Sequence, residues 1–103
     1  MSSGVDAISA ERWRQVFEEG WTYEHDDQHV RGELGAAAAC YAAPSRARDV
    51  AIWALWPATW DKSHFKPAGA CDDLASRRRD LEKAGALIAA EIERIDRCLD
   101  RRR

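Results

Sequence analysis

A chain of 103 residues with 46% hydrophobic content suits one small folded domain and is too apolar to be disordered throughout. Its net charge of −2 argues against the strongly basic surface of a dedicated nucleic-acid binder, and its longest apolar run, Ala36 to Ala43, is far too short for a membrane span. The charge is unevenly divided: residues 1–36 carry eight acids against three bases, a net −5, and residues 37–103 carry thirteen bases against ten acids, a net +3.

The elements follow in chain order. Ser9 to Glu19 reads as a first helix, with Ser9 as N-cap, Trp13, Val16 and Phe17 on one face, and Gly20 as its stop. Residues 21–28 read as an acidic loop. A second helix then runs to about Ala43, where Pro44 ends it. Its AAAACYAA stretch is strongly helical and small, so another element can approach closely. Arg46 to Leu55 reads as a short helix, followed by an aromatic-rich loop in which Trp53, Trp56 and Trp60 fold back over the helices. From Asp72 or Asp73 one long helix runs to about Leu99. Its Leu81, Gly85, Ile88, Ile92, Ile95 and Leu99 alternate steps of four and three, a heptad-like seam. Asp72 and Asp73 suit the positive end of that helix, and Arg101 to Arg103 its negative end. Gly85, unfavourable inside a helix, marks a close approach, most simply of another helix such as the alanine face. The expected fold is all-α: a single helical domain of three to four helices over residues 1–103, with 1–8 and 100–103 flexible. The seam is longer than a core of this size needs, which predicts a homodimer or higher homo-oligomer.

Cys40, Cys71 and Cys98 are odd in number and widely spaced, which fits neither a disulfide framework nor a zinc finger. Residues 1–12 have no apolar h-region, so the expected compartment is the cytoplasm.

Chemistry is concentrated in GWTYEHDDQHVRGEL, Gly20 to Leu34. Three readings compete. In the first, His25, His29 and Glu33 fall at i, i+4 and i+8 and bind a metal with Asp27 or Asp26 as a further donor, His64 and the pair Asp72–Asp73 being the nearest other ligands. In the second, Asp26 or Asp27 caps the second helix and His29–Glu33 is a first-turn pair. In the third, Trp21, Tyr23, His25, Asp26, Asp27 and His29 form a ligand pocket. There Trp21 and Tyr23 would stack on a flat ring, and Arg14, Arg31, Lys83 or the run Arg77–Arg79 would pair with an anion. Asp27 is then the cap, while Asp26 and His25 project beside Trp21.

The order and spacing of ERWRQ, EEGW, EHDDQH, GEL, AA and YA, then WP, KP and RRDLEKAGALIAAEIERIDR, resemble a family of small phage and prophage proteins over nearly all of residues 9–97. Tyr23 stands where proline is common in that family, and WPATWDKSHFKP replaces a denser tryptophan run. A second similarity is to the repeat domain of ryanodine receptors, through Glu11, Arg14, Gly20 and Trp21 and the acidic turn. Bacterial versions of that domain accompany nucleotide-signalling defence systems. The resemblances imply a phage accessory protein in the host cytoplasm that binds a nucleotide-derived anion without catalysis or cofactor and sequesters a defence signal. A metal-dependent nucleotide pyrophosphohydrolase is the enzymatic alternative. It would need Glu33, Asp26 and Asp27 to converge with Asp72–Asp73 or Glu91. The third possibility is an interaction protein that inhibits a host protein through an exposed helix.

Overall fold

A computed structural model describes residues 3–70 and 73–102, which form five α-helices and no strand. Expectations that rest on Cys71, Asp72 and Arg103 lie outside the described residues. Helix α1 spans Gly4–Phe17 and starts well before Ser9. Ser3 caps it: its hydroxyl accepts from the Asp6 N–H at 3.0 Å, and the Asp6 carboxylate accepts from the Ser3 N–H at 3.5 Å. Part of the expected acidic loop is a short helix, α2, Tyr23–Asp27, capped by Thr22. Helix α3 covers Glu33–Ala42 and α4 covers Ser45–Leu55, with Ala43 and Pro44 between them. An irregular stretch with one 3-10 turn, Lys62–His64, leads to α5, Leu74–Arg101, capped by Asp73.

The core lies where α3 packs on α5. Ala37 and Ala38 meet Ala84 and Ala90, and Leu34, Cys40, Tyr41, Trp56 and Leu87 complete the cluster. The alanines permit this close packing because they present little beyond Cβ. The neighbour at Gly85 is a helix, although not the alanine face: a Cβ there would lie 2.6 Å from Ile8 of α1. Trp56 and Trp60 fold inward as expected, whereas Trp53 is 83% exposed.

On two helices the buried face is not the one that the apolar spacing marks, and on α1 it is polar. In α1, Trp13 and Phe17 stack on each other in solvent, while Glu11, Arg12 and Gln15 are buried. In α5, the seam residues Leu81, Ile88, Ile92, Ile95 and Leu99 are exposed, and Asp80, Ala84, Ala86, Leu87 and Ala90 face inward.

Two buried ion pairs explain how charged residues tolerate the interior. Arg48 of α4 donates to Asp80 of α5 at 2.9 Å and to the Tyr41 carbonyl at 3.2 Å. Asp80 also accepts the Ala68 N–H at 2.8 Å, fixing the end of the irregular stretch. Arg12 of α1 donates to Asp26 of α2 at 2.7 Å. Asp26 is therefore a fully buried anchor and does not project from a loop. Asp27 does not cap α3, whose N-cap is Gly32; its carboxylate accepts from Arg97 at 2.8 Å and Arg101 at 3.0 Å. Those guanidiniums hold its pKa below the usual carboxylate value, Arg97 foremost.

The arginine run is occupied as well. Arg77 donates to the carbonyls of Tyr41, Ala42 and Ala43 and so satisfies the end of α3. Arg78 pairs with Glu82, and Arg79 bridges Glu82 and Glu11. Arg77 and Arg79 thus tie α5 to other helices, while Arg78 pairs within α5 at the surface.

Candidate functional site

A cavity of about 470 Å³ opens between α1, the Trp21–His29 segment, α3, the irregular stretch after α4, and α5. Its apolar wall is Leu34, Ala37 and Leu87. Around this runs a chain of rings. Trp21 stacks on His25, with centroids 5.8 Å apart and planes at 8°; His25 meets His29 edge-on at 4.9 Å. His29 meets Trp60 at 5.0 Å, Trp60 meets Trp56 at 5.6 Å, and Trp56 meets Tyr41 at 6.5 Å. The backbone that carries the first of these rings is tied to α1, because the Trp21 N–H donates to the Gln15 backbone carbonyl at 3.0 Å after the turn at Gly20.

Both histidines of this ring series turn Nδ1 toward a carboxylate. His25 Nδ1 lies 3.3 Å from Asp26, and His29 Nδ1 lies 3.4 Å from Glu33. A cation also lines the cavity, beside the last of these rings. Lys83 on α5 donates to the Lys66 carbonyl at 2.8 Å and sits 5.8 Å from the Tyr41 ring centroid. Burial pulls its pKa below the usual lysine value. One bond leaves two of the three ammonium donors for a ligand. Burial likewise pushes the Tyr41 hydroxyl up, and its oxygen accepts the Lys66 N–H at 2.9 Å.

Glu11 and Arg14 are less available. Arg14 clasps Glu11 with bonds of 2.7 and 2.9 Å and reaches Glu19 at 2.9 Å, and Arg79 holds Glu11 from the other side at 2.7 Å. Burial alone would raise the Glu11 pKa, but the bonds from Arg14 and Arg79 outweigh it and leave the value lowered. A lowered carboxylate pKa contributes stability above its unfolded value that is lost as pH falls through the folded one. Glu11→Gln should therefore lower the melting temperature at pH 7 and narrow the difference between pH 7 and pH 3, as read by thermal melts at both.

Of the residues that the sequence marks for ligand binding, Arg14, Trp21, His25, His29 and Lys83 line this cavity. Tyr23, Asp26 and Asp27 do not. Tyr23 is outward, with the Arg97 guanidinium over its ring at 4.5 Å, and both aspartates are engaged by arginines. Arg31 is exposed and away from the cavity. The residues of the metal reading are not gathered: His25 and His29 are adjacent, but Asp27 is held by Arg97 and Arg101, and Glu33 stands behind His29. Among the described residues no three His, Cys, Asp or Glu side chains are placed to hold a metal ion. Sequence reasoning gave no ligand role to Gln15, Tyr41, Thr59 or Asp61, which also line the cavity; nothing local in the sequence marks them.

No family model, curated protein or solved structure matches this chain. No helix among the described residues is long and apolar enough to cross a membrane.

Proposed function

We propose that this chain is a non-enzymatic binding protein of phage or prophage origin that takes a nucleotide-derived anion into the cavity and withdraws a host defence signal. The observation that carries the reading is one cavity lined both by stacked and edge-on aromatic rings and by the Lys83 ammonium. A base is a flat ring that stacks on such walls, and its phosphate needs a cation within reach. The sequence resemblances supply the biological setting.

Tryptophan fluorescence tests this directly, since Trp21, Trp56 and Trp60 all line the cavity. Titration with mononucleotides and cyclic dinucleotides should quench emission with saturation. Lys83→Met should weaken binding by roughly 10–100-fold, the worth of a charge-assisted hydrogen bond. No saturable quenching by any nucleotide at millimolar concentration would overturn the reading.

The exposed seam on α5 favours a second copy as its partner. Leu81, Ile88, Ile92, Ile95 and Leu99 are between 42% and 55% exposed, and an apolar stripe of that length is an association site on a soluble protein. Light scattering at micromolar concentration should give twice the chain mass, and Ile92→Glu should return it to one. A wild-type mass of one chain would end the dimer proposal.

A further inference from the structure

We infer, building on the second-copy reading above, that two copies pair antiparallel along α5 about a two-fold axis at the level of Leu87, with Leu74 of each copy seated in a hollow at the far end of the other. The exposed stripe extends one heptad beyond the seam. Leu74, Leu81, Ile88 and Ile95 are seven apart, with Ile92 and Leu99 beside them. Leu74 is 84% exposed, more than any other large apolar side chain among the described residues. At the other end of α5 lies an open hollow lined by Val30, Ile95 and Leu99 together with Arg94 and Arg102. Val30 is itself 63% exposed. An apolar knob at one end and an apolar hollow at the other fit each other only when the second helix runs the opposite way.

The charges carry the same symmetry. A two-fold contact needs a self-complementary surface, in which residue i meets j and j meets i. On α5 and its caps, the pairs Leu74–Leu99, Leu81–Ile92, Arg78–Asp96 and Asp73–Arg102 all have midpoints within half a residue of position 87. Arg78 and Asp96 are eighteen residues apart, five full turns, and so share one line along the helix. Asp73 and Arg102 are twenty-nine apart, close to eight turns, and share a line on the other flank of the stripe. In an antiparallel pair each flank meets the same flank of its partner, so opposite charges meet on both sides. Asp96 gains most from this, because Glu93 and Asp100 stand three before and four after it, like charges on one helix surface. Arg78 pairs with Glu82 only at the surface, its side chain 58% exposed. A parallel pair would instead set Asp96 of each copy beside Glu91 of the other. An antiparallel pair shifted by one heptad would leave Leu74 beyond the end and turn Arg78 toward Arg102.

The test follows the full-length protein by sedimentation over a dilution series. Arg78→Glu and Asp96→Lys should each dimerise roughly fivefold or more weakly than wild type, because each sets like charges together twice across the axis. Mixed in equal amounts, the two variants should pair with each other about as tightly as wild type, since every reversed charge then meets its opposite. Leu74→Lys is an independent arm: at so exposed a position it leaves the single copy folded, and it should weaken the dimer roughly tenfold or more by emptying both hollows. A wild-type dimer whose charge variants do not rescue each other, or one that Leu74→Lys leaves unchanged, would overturn the antiparallel register and leave the second-copy reading standing. A wild type that keeps the mass of one chain throughout would end both.

Discussion

Replacing Asp80 with alanine should lower the melting temperature by at least about 12 °C, the largest effect of any single substitution considered. Asp80 has no exposed surface, and its loss strands the Arg48 guanidinium in the interior. Breaking a buried pair from one side costs roughly 3–5 kcal/mol, and in a domain of this size each kcal/mol shifts the midpoint by about 4–8 °C. The damage is more than electrostatic, because the Ala68 N–H loses its acceptor and the stretch that carries Trp60 and His64 loses an anchor. Asp80→Asn keeps an oxygen for Ala68 and should cost less. Arg48→Met combined with Asp80→Leu should recover much of the loss, since an apolar pair leaves no charge unmet. Melts of the four proteins separate these contributions; an Asp80→Ala midpoint within a few degrees of wild type would show that the pair is not a support.

Asp26→Ala should be the second most damaging change, with a cost near 3 kcal/mol, the low end of the same range. The low end applies because Arg12 keeps a second acid, Glu93, at 3.5 Å. Two of the Arg12 nitrogens already lack partners among the described residues, so little else can absorb the loss. His25 would also lose the carboxylate beside Nδ1, so ligand binding should weaken together with stability. Asp27→Ala, its sequence neighbour, should change the melting temperature less, because Asp27 and Arg97 keep some access to water and Arg101 is exposed, so no charge is stranded in the interior. Equal melts for the two alanine variants would contradict this division of labour.

The sequence showed where the helices are much better than which way they face. Pro44 and the three–four spacing of α5 were sufficient to place α3, α4 and α5 within a few residues. The same periodicity pointed the wrong side inward, because it weighs apolar residues alone. The interior of α1 is built from Glu11, Arg12 and Gln15, and that of α5 includes Asp80. These are stable only because Arg14, Arg79, Asp26 and Arg48 arrive from other segments, and such long-range pairings leave no trace in local pattern. The cavity was legible where its residues are close in sequence, as with Trp21, His25 and His29. It was not legible where distant segments contribute one residue each. The aspartates misled for a related reason: a carboxylate before a helix reads as a cap whether or not a buried arginine awaits it.

Trp21, His25 and His29 share a short segment with a joint at each end: Gly20 at φ +73° and Gly32 at φ +80°, both in the left-handed region that disfavours every residue with a Cβ. Between them the segment is tied down chiefly by Asp26 to Arg12 and by Asp27 to Arg97 and Arg101. One wall of the cavity is thus a panel on two joints, clamped at its middle. The distance from that wall to Lys83 depends on two residues that do not line the cavity. Alanine at Gly20 or Gly32 would re-aim three rings together without removing a single lining group.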